Sequence, residues 1–336
     1  MSGASAPERR RPRVSIITPT LNQGRFLEQT IRSIRTQAYQ SIEHIVIDGG
    51  STDGTIQILK EHEGSHDFIW QSAPDRGMYD ALNKGLALAK GDILGYLNSD
   101  DVYPPWAVEV AVAALEASPE LDVVFGDGLT IDTDTGRQRL AFVPPFDARS
   151  LASTGSLFQP AVFLRRRVYD RHGGFDPDLQ FVGDLEYWLR IAGGARFGRI
   201  DEVLAVERVH GLALSSASAG PMAVEEAATR RRFLSVRLPV LRRLAARVRA
   251  AFWRRRLQVA FLRASRRRGA AGGPWRWMTE LGQVEIDPAR VALSLVPRLG
   301  ASFAWNAIRS NRPWFEAPGT VATVPGADPS NLRVSR

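Results

Sequence analysis

The chain has 336 residues, 44% hydrophobic and 24% charged, and no cysteine. Its length supports one large domain or two smaller ones, and the missing thiols exclude disulfides, thiolate metal sites, iron–sulfur clusters and a cysteine nucleophile. The net charge of +8 is unevenly placed: residues 1–229 carry 22 Lys and Arg against 31 Asp and Glu, and residues 230–268 carry 15 Arg and no acid, which excludes reading the whole-chain charge as a nucleic-acid signal.

Residues 1–12 form a short polar tail without the apolar segment of a signal peptide. Residues 14–18 (VSIIT) are a β-branched run closed by Pro19, and Phe26, Leu27, Ile31 and Ile34 then recur at helical spacing within 24–38. A second strand, 43–47 (EHIVI), stops at Asp48-Gly49-Gly50, where Ser51 and Thr52 can cap a helix through Ile56 and Leu59. A third strand at 68–71 precedes a helix over 78–89, and a fourth, 93–97 (ILGYL), ends in Asn98-Ser99-Asp100-Asp101. Pro104 and Pro105 open a helix to Leu115, and a further strand starts at 123. Such alternation predicts an α/β fold with a doubly wound, mostly parallel sheet.

After Gly128 the pattern turns mixed, with a hairpin at Asp134-Thr135-Gly136, strands at 158–164 and 203–209, and a helix at 185–191. A Ser/Ala/Gly linker over 215–220 separates a basic region, 221–317, expected to be helical to about residue 268, and residues 318–336 read as disordered. No apolar stretch is long enough to span a bilayer, so a cytosolic location is the expectation.

In open α/β sheets, ligands bind beyond the carboxyl ends of parallel strands. Three such ends carry polar residues here: Pro19-Thr20-Leu21-Asn22, Asp48-Gly49-Gly50-Ser51 and Ser99-Asp100-Asp101. Adjacent carboxylates repel unless a cation or strong donors are near, and Mg²⁺ or Mn²⁺ takes one or two carboxylates plus phosphate oxygens. The alternative for Asp100-Asp101 is a solvated turn that caps the next helix. Asp48 suits either a turn or recognition of a base or ribose, and Arg76 either a phosphate clamp or a surface ion pair. Asp184, opening a helix after Gly183, suits an N-cap or a general base towards a hydroxyl. His210 follows a strand as a solvated residue or a ligand. The first strand ends without a G-x-G-x-x-G turn, and neither a P-loop nor G-x-S-x-G occurs.

Taken in order, VSIITPTLNQGRFLEQTIRSI, HIVIDGGSTDGT, DRGMYDALNKGLALAKGDILGYLNSDD, QPAVFLRR and GGFDPDLQFVGDLEYWLRIA, with the strand end at His210, resemble the inverting nucleotide-sugar glycosyltransferases of family two. The resemblance covers residues 13–216 and implies a GT-A fold. It implies that Pro19, Thr20 and Asn22 pack against the donor nucleotide, that Asp48 reads the base, typically uracil, and that Arg76 contacts the donor. Asp100 is implied near the ribose, Asp101 on Mn²⁺ or Mg²⁺, and His210 at the metal-bound diphosphate. Gln159, with Pro160, is implied to line the sugar and acceptor pocket, and Asp184 to be the catalytic base. Leu21 stands where many members have a stacking aromatic, and Gly183 where an acidic residue often precedes the base. The Gln-x-x-Arg-Trp signature of processive synthases is missing, which favours single-sugar addition.

The implied activity is transfer of one sugar from a nucleotide diphosphate donor to a glycan or lipid-linked acceptor in envelope or surface polysaccharide synthesis. The rivals are a catalytically silent nucleotide-sugar-binding scaffold and a nucleotidyltransferase, although residues 18–25 lack the Gly-rich, basic loop that would grip a triphosphate. In the arm, Leu241, Leu244, Val248 and Phe252 share a helical face among arginines. That face fits an anionic membrane surface at the inner leaflet or, equally, the acidic body or a second copy of the chain in a homo-oligomer. Nucleic acid is not expected as a partner, because no binding module accompanies the charge.

Overall fold

The fold comes from a computed structural model and is described for residues 11–65, 67–153, 157–211, 219–233 and 334–335. Its first half is a run of βα units: β1 (Val14–Thr20), α1 (Leu27–Arg35), β2 (Ile42–Asp48), α2 (Thr55–Glu61), β3 (Phe68–Ser72), α3 (Met78–Leu88) and β4 (Ile93–Tyr96). Every residue of β1 is buried, as expected of a central strand covered on both faces. β1 runs past Pro19 to Thr20, in parallel register with β2 from Val14↔Ile42 to Thr20↔Asp48. α1 starts at Leu27 rather than Gly24 because the amides just before it are used elsewhere. Gln23 N–H donates to Thr55 Oγ1 at 3.0 Å and Gly24 N–H to Asp53 Oδ2 at 2.9 Å.

The second half contributes α4 (Ala107–Ala117), β5 (Val123–Asp132), β6 (Gln138–Ala141), α5 (Ala148–Ser153), β7 (Val162–Arg165), α6 (Arg166–His172), α7 (Gly183–Ile191), β8 (Phe197–Val209), α8 (Ala219–Phe233) and β9 (Val334–Ser335). The sheet order is β3-β2-β1-β4-β7-β5-β8-β9, with β6 beside β5. Its longest ladders, β1 with β2 and β5 with β8, are parallel, whereas β7 runs antiparallel to both β4 and β5. The hairpin turns where expected, closed by Gly136 N–H to Asp132 O at 2.8 Å.

Apolar side chains cover both faces of the sheet. Ile17, Ile45, Leu82, Leu86 and Trp188 fill one core, and Ile16, Val108, Ala111, Leu115 and Phe163 the other. α3 lies so close to β1 that a Cβ on Gly85 would collide with Ile17. This is the doubly wound, mostly parallel architecture expected from the sequence, and it places the carboxyl ends of β1, β2, β3 and β4 on one edge.

One boundary departs from the sequence reading. The region beginning at 221 starts as α8, and this helix returns to the body: Met222 and Phe233 pack on the core around α7, and Arg230 donates to the Leu151 carbonyl. The rest of the basic arm, including the amphipathic face, lies outside the described residues, as do residues 1–10 and 318–333. Val334–Ser335 pairs with β8 at Ile200 and Arg199. Among the described residues no helix is long and apolar enough to cross a membrane.

Candidate active site

The loops after β1 and β2 are zipped together. Asn22, at φ 53°, donates its N–H to Ser51 Oγ at 2.7 Å and accepts the Thr52 N–H on Oδ1 at 2.9 Å. Asp48 ends β2 fully buried. Its Oδ2 accepts Gly50 N–H at 3.0 Å, Ser51 N–H at 2.9 Å and Ser72 Oγ–H at 2.6 Å, and Oδ1 accepts the Ser51 hydroxyl. Gly50, at φ +94°, supplies the left-handed turn that brings these amides back onto the carboxylate. Asn22 and Asp48, two of the residues expected at the nucleotide, thus also shape the loops there.

Pro19 is buried within β1. The Thr20 hydroxyl and Asn98 Oδ1 are buried at neighbouring strand ends without a hydrogen-bond partner among the described residues. Leu21 is 54% exposed beside them. Arg76 lies on the rim, 3.3 Å from Asp80 and 3.8 Å from Asp178.

Asp100 and Asp101 are held between α1 and β8. Thr30 Oγ1 lies 2.8 Å from both the Ser99 and Asp101 carbonyls, and Val102 and Val206 exchange backbone hydrogen bonds at 3.0 and 2.9 Å. Asp101 is buried and accepts Arg208 N–H at 3.1 Å. The Arg208 guanidinium donates to the Asp100 carbonyl, to Gln29 Oε1 and to Phe26 O at 3.3 Å. Its carbon sits 4.8 Å over the Phe26 ring. His210 Nε2 is 3.2 Å from Asp100 Oδ2, while His210 Nδ1 is buried without a partner among the described residues.

Burial, followed by the charges of Asp100 and Glu207, pushes the Asp101 carboxyl well above the usual carboxylate range, against the pull of Arg208. Glu207 is likewise raised, by burial and then by Asp100. Arg208 is lowered to about 10, chiefly by burial, and so stays charged at neutral pH. Asp100 and Asp101 thus share one buried cation, Arg208, and two adjacent carboxylates at a strand end suit a divalent ion. No three His, Asp or Glu side chains among the described residues form a complete metal cage.

Asp184 occupies the first turn of α7. The Tyr79 hydroxyl donates to Phe181 O at 3.1 Å and lies 3.4 Å from Asp184 Oδ1. A Cβ on Gly183 would lie 2.8 Å from the Tyr79 ring, which is packed in the core, so this chain has no room for an acidic side chain before Asp184. Burial raises the Asp184 carboxyl to about 6, although the Leu185 amide and Tyr79 pull it down.

Tyr96, at the end of β4, connects the two halves. Its hydroxyl is held far above its ordinary value by burial and then by Asp184, Tyr79 and Asp101, so both aspartates act on one ring. Gln159 Nε2 donates to the Tyr96 carbonyl at 2.9 Å. Gln159 thus meets the carbonyl of Tyr96, whose hydroxyl feels the charges of Asp184 and Asp101, while the Asp48 carboxylate is turned into its own loop. The sequence reading missed Tyr79, Tyr96, Thr30, Arg208 and Glu207. The V-E-R-V-H stretch ending at His210 is the one sequence signal that touched them, since it places two charged residues in the otherwise apolar run 203–209.

The profile of Glycosyl transferase family 2 matches residues 15–173. An uncharacterized glycosyltransferase of Mycobacterium tuberculosis is 39% identical over 184 residues, 54% of this chain and 69% of that protein. A PGL/p-HBAD biosynthesis glycosyltransferase of Mycobacterium bovis is 30% identical over 183 residues, 53% of this chain and 69% of that one. The crystal structure of Staphylococcus aureus TarS 1–349 with UDP-GlcNAc superposes with TM-score 0.55 at 18% identity over 68% of each chain. A Pyrobaculum calidifontis mannosyltransferase with GDP-Man and Mn²⁺ gives TM-score 0.54 at 21% identity, over 92% of this chain and 89% of that one. By sequence and by fold, the chain belongs to glycosyltransferase family 2.

Proposed function

We propose that the chain transfers a single sugar, with inversion, from a UDP-sugar to a hydroxyl of a glycan or lipid-linked acceptor in envelope polysaccharide or glycolipid synthesis. The observation that carries this reading is Asp184: a carboxylate at the head of a helix, raised to about 6 by burial and acting with Asp101 on Tyr96. Such a group is ionised at neutral pH yet basic enough to accept a proton from an attacking hydroxyl. The nucleotide-sugar complexes of the fold relatives support the donor class, and the PGL/p-HBAD biosynthesis relative supports a place in glycolipid synthesis.

Asp184 takes the acceptor proton as the acceptor oxygen forms its bond to the anomeric carbon. The bond from that carbon to the diphosphate breaks on the opposite face, and its electron pair leaves with the nucleotide. One displacement inverts the configuration without a covalent enzyme intermediate. Tyr79 holds the carboxylate from behind, and Gln159 fixes the end of β4 between the two aspartates. Asp101 would hold Mn²⁺ or Mg²⁺, with Asp100 and His210 beside it, and such an ion neutralises charge on the diphosphate. The unpartnered Thr20 hydroxyl and Asn98 oxygen support a polar ligand at this edge, and exposed Leu21 offers an apolar surface to a base. The arginine-rich segment 230–268 suits an anionic bilayer, where lipid-linked acceptors reside.

The test is a panel of UDP-, dTDP- and GDP-sugars with Mn²⁺ and a lipid-linked acceptor, with the product read by mass and by anomeric coupling in NMR. The expected outcome is a one-sugar mass gain from a UDP donor with inverted anomeric configuration. Retained configuration, or transfer at the parent rate by Asp184→Asn, would overturn the reading.

A further inference from the structure

α8 reaches the entry to α7 through Glu225. Glu225 lies outside the segment matched by the family profile, on the helix whose start was read from sequence as a separate region. Its carboxylate accepts three consecutive backbone amides: Gln180 N–H at 3.0 Å, Phe181 N–H at 2.8 Å and Val182 N–H at 2.9 Å. These residues lead directly into α7, whose second residue is Asp184. Val182 at the cap position has no side-chain cap of its own, so Glu225 supplies from another element the anion that a helix N-terminus favours.

The same segment is gripped from its other side. The Tyr79 hydroxyl donates to the Phe181 carbonyl at 3.1 Å and lies 3.4 Å from Asp184 Oδ1. Phe181 is thus fixed by its N–H to Glu225 and by its carbonyl to Tyr79, and Asp184 hangs from the result. The helix that carries Glu225 is itself anchored. Arg230 bridges Glu226 at 2.8 Å and the Leu151 carbonyl, and Met222 and Phe233 pack on the core. A rigid three-amide grip twists the entry to α7 far less readily than solvated amides would.

We propose that Glu225 is a positioning residue for sugar transfer, holding the segment 180–182 so that the Asp184 carboxylate meets the acceptor hydroxyl in register. This rests on Asp184 being the base. Glutamine at 225 keeps the shape but offers one neutral acceptor to three donors, and alanine offers none.

The experiment compares the full chain with Glu225→Gln, Glu225→Ala, Asp184→Asn and the Asp184→Asn/Glu225→Gln double variant. The readouts are steady-state kinetics, calorimetric UDP affinity, melting temperature and amide exchange. Glu225→Gln is expected to lower kcat between about 10- and 100-fold, since small misplacements of a reacting group cost that much. UDP affinity and donor KM should stay within about twofold, and amides 180–182 should exchange faster. Glu225→Ala should be worse than Glu225→Gln. The double variant should be no slower than Asp184→Asn alone, because residues acting through one group are not additive. An unchanged kcat in Glu225→Gln, an additive loss in the double variant, or a parallel fall of kcat, UDP affinity and melting temperature would each overturn the proposal. Transfer at the parent rate by Asp184→Asn would instead overturn the assignment of the base, a separate failure.

Discussion

The backbone N–H of Arg208 donates to the Asp101 carboxylate at 3.1 Å while its guanidinium donates to the Asp100 carbonyl. One residue of β8 thereby holds both members of the acidic pair. Its charge also offsets those of Asp100 and Asp101, the latter raised well above the usual carboxylate range by burial and by repulsion from Asp100 and Glu207.

Replacing Arg208 should therefore be costly in stability before any question of catalysis arises. Arg208→Met leaves the Asp100 carbonyl and Gln29 without their donor and the carboxylates without their cation. The expected loss is roughly 3–5 kcal/mol, the scale for removing one partner of a buried charged group. Arg208→Lys should recover only part, because an ammonium cannot fork to Gln29 and Phe26 together. Urea unfolding measures both, and a methionine variant within about 1 kcal/mol of the parent would be incompatible with this role.

Asp48 leads to a different prediction from the one its motif suggests. Its carboxylate is engaged by Gly50, Ser51 and Ser72, so Asp48→Asn places amide hydrogens against backbone donors in a buried site. A destabilisation of roughly 2–3 kcal/mol is expected, the scale of a lost hydrogen bond to a charged group, with faster exchange of the Gly50 and Ser51 amides. Donor affinity should fall as the loop loosens, and the preference among UDP, dTDP and GDP should not change. An unaltered melting temperature with an altered nucleotide preference would mean that Asp48 reads the base directly.

The parallel half was legible because its strands are buried on both faces. VSIIT, EHIVI and ILGYL are short runs rich in Val, Ile and Leu, and each stops at polar residues in the strand-end loops. The acidic pair was legible for the same reason. What escaped were partners brought in by tertiary folding: Glu225 meets the Phe181 amide across 44 residues and Arg208 meets the Asp100 carbonyl across 108. No local periodicity encodes such contacts. The bonds from the Asp48 carboxylate to its own loop were not legible, because the left-handed turn at Gly50, which brings the amides onto its oxygens, is a backbone property. Gly183 looked like a departure from a pattern and is explained by the Tyr79 ring pressed against it.

Burial raises the Asp184 carboxyl from 3.8 to about 6, and this has opposite consequences for rate and for stability. A base must be unprotonated to act, so kcat should fall about tenfold per pH unit below pH 6. Tyr79 donates towards Asp184 and favours its charged form, so Tyr79→Phe should move that limb to higher pH. Stability runs the other way. A group whose folded value lies above its unfolded one binds its proton more tightly in the fold, so its stabilising contribution is complete below about pH 4 and is lost as pH rises through 6. Asp184→Asn, uncharged throughout, should therefore melt above the parent at pH 8 and lose that advantage by pH 4, while its residual transfer has no acid limb near 6. Asp127, also raised to about 6 but paired with Arg199, remains in both proteins and cancels from the comparison. Parallel melting curves across that range would mean that Asp184 carries no raised proton affinity, and the acid limb of the parent would then have to arise elsewhere.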